Sequence, residues 1–239
     1  MKKLLALTLS AGLATAGAQT VNTIPATPVG TGLSGVELGL TGGYAGGLSG
    51  EVFIHAPNVA GPVGVKAGVA YTRAADAIND ASPFLPGISN PSDPNQTFGA
   101  AKGRGEVSES GSRTVFSLDG TYSVGQITPG ADALLYAGGR YGMFRSTEDF
   151  GEDGSTTYST NSFGIGAGVM VSYPVSGNLS LVGDLGVDQF FGGNITATTV
   201  SGDGTRTVDS GAGANEAFGS RFVRPGTVFK TRIGIKTTF

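Results

Sequence analysis

The sequence lacks cysteine and tryptophan, holds a single histidine, His55, and is only 14% charged. Without cysteine the chain forms no disulfide and no thiolate site, so its stability has to come from backbone hydrogen bonds and packing. Beyond residue 18 there is no run of about 18 consecutive apolar residues, which leaves no candidate for a transmembrane helix. The 15 basic residues form no cluster and are outnumbered by 18 acidic ones, a balance that argues against a nucleic acid partner.

Glycine is the residue in excess. It accounts for 42 of 239 residues, about 18% against a usual value of about 7%. The glycines follow no Gly-X-Y repeat, which excludes collagen. They fall inside segments of alternating polarity, where small residues suit the strands of a tightly curved sheet.

The first 18 residues are typical of a cleaved signal peptide. Lys2 and Lys3 precede an apolar run over residues 4–14, and Ala16-Gly17-Ala18 offers a small-x-small cleavage site. The run is too short for a membrane anchor, which needs about 20 residues, and no cysteine follows it for lipid attachment. We therefore expect a signal peptide over 1–18, a periplasmic segment over 19–32, a membrane domain over 33–239, and a mature net charge of -5.

Apolar residues alternate with small or polar residues in eight segments, which predicts eight β-strands. In one of them Val63, Val65 and Val69 share a face opposite Lys66. Each segment is close to the length of about 9 to 11 residues that crosses a bilayer at a tilt, and the even count suits a bacterial barrel. The segments are 33–44, 48–55, 62–73, 113–124, 132–144, 162–173, 179–191 and 227–239.

The connections between these segments separate a membrane barrel from a soluble sandwich. After a tight first hairpin near residues 44–47 they alternate in length. Short turns on one rim and long loops on the other are typical of outer-membrane barrels, with the short turns in the periplasm. We therefore predict an all-β fold, an eight-stranded antiparallel up-and-down transmembrane β-barrel; the alternative is a secreted β-sandwich, which shows the same alternation. The short turns lie at 56–61, 125–131 and 174–178, and the longer loops at 74–112, 145–161 and 192–226.

The last segment carries a resemblance to a known group. Phe229, Ile233, Ile235 and Phe239 occupy alternate positions up to the terminal aromatic residue, although Thr231 and Thr237 are weaker than the pattern prefers. The chain here resembles the small outer-membrane barrels of the OmpA, OmpX and OmpW kind. That resemblance implies an outer-membrane location in contact with lipid, a monomer, and a terminal strand read as an assembly signal by the barrel-assembly machinery. Aromatic residues near strand ends are expected to form the two interfacial girdles: Tyr44, Tyr71, Tyr122, Tyr141, Tyr173, Phe191 and Phe239.

If the apolar face meets lipid, the charged residues of the strands point into the barrel. The last strand, which is basic, then lies between acidic residues of the seventh and first strands, and Asp119 lies between Lys66 and Arg140. An eight-stranded barrel is just wide enough to be filled by side chains, so we predict a charge-paired plug and no open pore. Its members are Glu37, Glu51, Lys66, Asp119, Arg140, Asp184, Asp188, Lys230, Arg232 and Lys236.

Signals for enzyme chemistry or cofactors are weak. His55 falls at the periplasmic end of the second predicted strand, where a histidine in contact with water is the plain interpretation. Residues 148–155 match part of a calcium loop through Asp149, Asp153 and Gly154, but lack the third-position ligand and the final glutamate. Residues 164–168, GIGAG, lie in a strand and precede no helix, so they indicate no nucleotide site. We expect no enzyme activity, no cofactor and no metal.

Two classes of function remain. In the first, the barrel is a structural or surface-interaction protein acting through its outer loops. In the second it is a narrow channel or a passage for small, apolar molecules, which a lateral gap in the glycine-rich sixth strand would favour. The long loops are acidic: 74–112 has five acids against two bases, 145–161 four against one, and 192–220 three against one. This rim should attract cations or a basic partner.

Overall fold

The computed structural model describes residues 35–74, 76–84, 90, 92–209, 219, 221–223 and 226–239. The predicted signal peptide, the predicted periplasmic segment and the start of the first predicted strand lie outside the described residues, so these boundaries stay predictions. Within the described ranges, no helix is long and apolar enough to span a membrane.

Eight strands form the predicted barrel. Each pairs antiparallel with its neighbours in the ring β1-β2-β3-β4-β5-β6-β7-β10, and β10 pairs back to β1. The predicted all-β, eight-stranded antiparallel fold is confirmed, and β8 and β9 extend the sheet from β6 outside the ring. The elements are β1 Glu37–Tyr44, β2 Gly47–Ala60, β3 Val63–Ala74, α1 Phe98–Gly103, β4 Ser108–Thr128, β5 Ala131–Asp149, β6 Ser155–Ser176, β7 Leu179–Phe190, β8 Thr196–Ser201, β9 Gly204–Asp209 and β10 Thr227–Thr238.

The outer surface of the ring is a continuous apolar belt. Alternate residues of every ring strand are exposed and apolar, with exposed fractions of 56% for Leu40, 58% for Ile165 and 74% for Phe229. Exposure of this kind would be unfavourable in water and is expected against lipid. Tyr44 and Tyr71 lie at the upper, loop-bearing edge of the belt and Tyr122 and Tyr173 at the lower edge.

The barrel closes between its first and last strands. Leu40 of β1 is paired with Ile235 of β10 in an unbroken antiparallel register. Beyond the last paired residues, the amide of Phe239 donates to the carbonyl of Val36 at 2.9 Å, and the amide of Gly35 donates to the carbonyl of Phe239 at 2.6 Å. The terminal residue therefore takes part in closing the ring.

The predicted loops are wrong in one respect: much of their length is strand. β4, β5 and β6 continue past the belt, so only residues 150–154 connect β5 to β6, and the β8–β9 hairpin fills part of the predicted 192–226 loop. The alternation vanishes there because serine and threonine replace the outward apolar residues once the strands leave the lipid. We call the part of β5, β6, β8 and β9 beyond the belt the extension.

A second apolar core covers the extracellular mouth of the barrel. Connecting segments and the base of the extension meet over the opening, and we call this assembly the cap. Its core residues are all nearly or fully buried: Ile78, Phe98, Ala101, Val107, Phe144, Tyr158, Phe190, Ile195, Ala197 and Phe222. The helix α1, capped at its start by the Thr97 side chain, contributes Phe98 and Ala101 to this core.

Candidate functional site

The interior of the barrel holds the predicted charged residues. All ten are buried, and each contacts at least one oppositely charged group or a hydrogen-bond partner inside the ring. We call these ten residues the interior network: Glu37, Glu51, Lys66, Asp119, Arg140, Asp184, Asp188, Lys230, Arg232 and Lys236. They form three layers along the barrel axis.

The periplasmic layer is centred on Glu37. Its two carboxylate oxygens contact Lys236 Nζ and His55 Nδ1, each at 2.7 Å, and His55 Nε2 lies 3.0 Å from the hydroxyl oxygen of Thr121. The expectation of a histidine in contact with water is wrong, since His55 is only 3% exposed. Its sequence position is near a strand end, but β2 continues to Ala60 and carries His55 inside. Both ring nitrogens have structural partners, so the geometry offers no free base.

The middle layer is centred on Glu51. Lys66 Nζ lies 2.7 Å from one carboxylate oxygen and Arg232 contacts the other. Asp184 accepts a hydrogen bond of 2.6 Å from the hydroxyl of Tyr136, and Lys66 Nζ lies 5.1 Å from the centre of that ring. Lys66 is directly opposite Asp119 in the sheet, as predicted, yet its ion pair is with Glu51.

The upper layer is centred on Arg140. It contacts Asp119 at 2.6 Å through one terminal nitrogen and Asp188 at 2.8 Å through Nε. Lys230 Nζ also contacts Asp188, at 3.1 Å. Because charges of both signs are matched within hydrogen-bonding distance, this layer fills the bore without leaving an unmatched charge.

Glycines on the inner wall make room for these side chains. A Cβ at Gly166 of β6 would collide with Asp188 and Arg140, and one at Gly168 would collide with Tyr136. The sixth strand is hydrogen bonded to β5 on one side and β7 on the other through this region. The glycine-rich wall is therefore filled from within, and the ladder there has no lateral gap.

A small cavity remains between the interior network and the cap. The part of the cavity that the centre of a water molecule can occupy has a volume of about 20 Å³, which is enough for one or two water molecules. Arg113 of β4 lines it beside Arg140, Lys230 and Arg232. The predicted plug omits Arg113, which stands at the first position of the predicted fourth strand and lies above the belt.

The cap is held by a buried arginine that the sequence prediction also missed. Arg221 Nε donates to Glu148 at 2.5 Å, and the two terminal nitrogens donate to the carbonyls of Pro83 and Phe84, the second at 3.0 Å. The hydroxyl of Tyr158 donates to Glu148 at 2.9 Å. Burial raises the pKa of Glu148 above its usual value, against the attraction of Arg221. One side chain thus joins three segments that are far apart in sequence.

A second set of contacts fixes the β3–β4 connection. Lys102 Nζ lies 2.6 Å from both Asp80 and Glu109, and Glu109 also accepts from the amide of Ile78 at 2.7 Å. Partial burial opposes the charge of Lys102, but hydrogen bonds to the two carboxylates hold its pKa above the ordinary value. Asp76, Asp80 and Glu109 are close enough to share a cation, and the ammonium of Lys102 already occupies the contacts with two of them.

Three exposed acidic residues without an ion pair in the described part of the chain lie at the two hairpin tips of the extension. Glu152 and Asp153 are exposed in the β5–β6 turn, and Asp203 is exposed in the β8–β9 turn. These turns are adjacent because Ser155 pairs with Val200. Asp149 accepts from the amide of Gly151 at 2.9 Å, an ordinary turn contact. Glu148, counted with the acidic loop, is buried with Arg221, and Glu216 lies outside the described residues.

Comparison with known proteins adds one informative relative. No family model and no curated protein matches the chain. A crystal structure of a major outer membrane protein from Thermus thermophilus is 30% identical, with a TM-score of 0.73, over 86% of this chain and 99% of that one.

Two further solved structures share less. Ail, the attachment invasion locus protein of Yersinia pestis, is 11% identical, with a TM-score of 0.39 over 85% of this chain and 97% of its own. CarO2 of Acinetobacter baumannii is 13% identical, with a TM-score of 0.39 over 86% and 98%. At these scores neither supports an inference about the present chain. The belt, the closed ring and the Thermus relative together show that the chain belongs to the small outer-membrane β-barrel proteins and is located in the outer membrane.

Proposed function

We propose that this protein is a closed membrane anchor that presents its extracellular extension to a partner outside the cell. The observation that carries the proposal is a contrast between two regions. The bore is filled by buried, matched charges, whereas the extension is ordered and accessible, with five of the six β9 residues exposed. A rigid, accessible sheet on a closed barrel suits recognition better than transport.

The outward face of the extension is rich in hydroxyl groups. Thr147, Thr157, Thr198 and Thr207 lie opposite one another on four successive strands. The hydroxyl oxygens of the first two are 2.9 Å apart and those of the last two 3.3 Å. A flat row of this kind offers hydrogen bonds to a polar partner without requiring buried apolar area.

The tips of the extension give the proposal its charge preference. Glu152, Asp153 and Asp203 have no ion pair among the described residues, whereas Glu109 and Glu148 of the cap each contact a basic side chain. Such a tip attracts a basic surface, with an effect that fades beyond about 8 Å at physiological salt. The partner we infer is therefore a positively charged surface of another molecule or cell.

Binding by purified barrels in lipid nanodiscs tests this proposal. The probe is an immobilised lysine-rich peptide, with a glutamate-rich peptide beside it. The triple variant Glu152→Gln, Asp153→Asn, Asp203→Asn should lose most of the binding to the basic probe, by about tenfold. The matched control is Asp132→Asn, which removes an exposed acid from the opposite, periplasmic rim. Equal binding by the triple variant and the wild-type barrel would contradict the proposal, as would equal binding to both peptides.

The alternative is a narrow channel or passage. It draws on the cavity above the upper layer, but that cavity has room for only one or two water molecules, and Phe144 and Phe190 of the cap form part of its lining. A lateral route through β6 is not supported either, because the wall there is filled from within. We therefore place transport second and expect intact barrels to be silent in conductance measurements.

A further inference from the structure

Two arginines point outward at the extracellular edge of the belt. Arg73 lies on β3 and Arg145 on β5, and both are exposed. Arg73 is paired with Ser112 of β4, which is paired in turn with Arg145. The two arginines therefore share one cross-strand row and are separated by two strand spacings, about 10 Å between backbones, a gap that two long side chains can close.

That row marks the edge of the lipid-facing surface. On the β2 side of Arg73 the row continues to Leu48 and then Tyr44, which are an exposed apolar and an exposed aromatic residue. Beyond Arg145 the row continues to Ser159 of β6. Strands of such barrels tilt by about 40°, so the two arginines differ in height by about 6 Å. The headgroup layer is about 5 to 8 Å thick on each side of a bilayer, which places both side chains within it.

Neither guanidinium group is neutralised by a side chain in the described part of the protein. Among the described residues, no ion pair includes Arg73 or Arg145, although exposed Arg104 and half-exposed Lys102 nearby both have carboxylate partners. The outward neighbours in the row and in the rows beside it carry no acid: Leu48, Tyr71, Ser112, Thr114, Met143, Thr147 and Ser159.

We propose that Arg73 and Arg145 bind the phosphate group of a lipid in the outer leaflet. An arginine offers a planar fork of N–H donors that matches two phosphate oxygens, and Ser112 between them supplies a hydroxyl donor. The apolar surface directly below, formed by Tyr71 and Met143, is positioned to contact the acyl chains of that same lipid. The site thus recognises an anionic headgroup together with its chains, and it does not depend on the binding role of the extension.

Native mass spectrometry of the purified full barrel in neutral detergent tests the proposal. The probe is phosphatidic acid, and the matched lipid is diacylglycerol with the same chains, which lacks the phosphate. Each arginine near a membrane surface contributes about a fivefold gain in affinity for anionic lipid. We therefore expect Arg73→Gln and Arg145→Gln each to weaken binding about fivefold and the double variant about thirtyfold. Arg206→Gln, which changes an exposed arginine on β9 away from the belt, should leave binding unchanged.

The result that supports the site is loss of phosphatidic acid binding in the double Gln variant, with the Lys variants of both positions, which keep the charge but lose the fork, binding less than the wild-type barrel and more than the Gln variants. Binding of the double variant at the wild-type level overturns the proposal, and so does equal binding of diacylglycerol. Inorganic phosphate is added in a separate series at constant ionic strength. Displacement of the lipid by millimolar phosphate would show a site for a soluble anion and overturn the assignment to lipid.

Discussion

At the scale of single residues, Arg140 shows why charges inside this barrel are costly to change. It is buried between Asp119 and Asp188, at 2.6 and 2.8 Å. Replacing it removes the ion pair of Asp119 and leaves Asp188 with Lys230 alone, in a space from which bulk water is excluded. Most of the cost comes from the buried Asp119 carboxylate that remains unpaired, and less from the attraction that the ion pairs themselves supplied.

We therefore expect Arg140→Met to destabilise the barrel by about 3 to 5 kcal/mol. The measurement is the urea dependence of unfolding in detergent, followed by far-ultraviolet circular dichroism and by heat-modifiable migration on gels. Arg206→Met, on the exposed strand β9, is the control and should change stability by less than about 0.5 kcal/mol. A small effect for both variants would mean that the interior network is hydrated and only weakly coupled.

The positions of the inward side chains could be predicted from the sequence, but their contacts could be predicted only in part. Alternation placed all ten members of the interior network on the inner face, because a strand's period of two fixes which side chains point inward. The ion-pair partners were only partly predictable. Lys66 is opposite Asp119 in the sheet, but its ion pair is with Glu51, because the long lysine side chain extends across the bore. The burial of His55 and Arg221 and the inward position of the half-buried Arg113 were missed, since they depend on strand extension and on the cap, which leave no local pattern.

At the scale of elements, β10 combines two roles. Its outward residues Phe229, Ile233 and Ile235 belong to the belt, and its inward Lys230, Arg232 and Lys236 belong to the interior network. The terminal Phe239 adds backbone hydrogen bonds to Val36 and Gly35 across the closure. The interpretation of this strand as a signal for the barrel-assembly machinery stays a prediction.

Deleting Phe239 should reduce the amount of barrel in the outer membrane severalfold, while export continues because the predicted signal peptide is unchanged. Membrane fractionation with quantitative blotting of the heat-modifiable form measures this. Phe163→Ala is the matched control, since Phe163 is a similarly exposed belt aromatic, 71% against 59% for Phe239, in the middle of the chain. Equal losses for the two variants would assign the effect to belt hydrophobicity and count against a terminal signal.

The extension was harder to predict than the belt strands. Between residues 144 and 161 serine, threonine and charged residues fill the outward positions, so apolar alternation ends while strand pairing goes on. Turn signals such as Gly151 and Gly154 are present within this stretch, and they do mark the connection of β5 to β6. The predicted loop boundary followed the end of the lipid-facing pattern, and the true boundary follows the end of hydrogen bonding.

At the scale of the whole molecule, two barriers close the barrel in series. The cap covers the mouth with an apolar core held by Arg221 and Glu148, and the interior network fills the bore below it. If the protein were a channel gated by the cap, the cap would have to be the only barrier to ions. If the protein is a closed anchor, the interior network still blocks ions when the cap is loosened, so the two functions predict different conductance for a variant with a loosened cap.

Arg221→Ala should loosen the cap without opening the barrel. The variant leaves Glu148 buried without its cation and frees the carbonyls of Pro83 and Phe84, so trypsin should cleave after Lys102 or Arg104 more than about tenfold faster than in the wild-type barrel.

Planar-bilayer recordings of both proteins should show no discrete steps, with an open porin as the positive control, because Arg140, Lys230 and Arg232 remain matched with carboxylates across the bore. Steps from the wild-type barrel would establish a channel, and steps from Arg221→Ala alone would make the cap a gate; either outcome contradicts the closed anchor. Silence together with rapid cleavage is the result that the filled bore predicts.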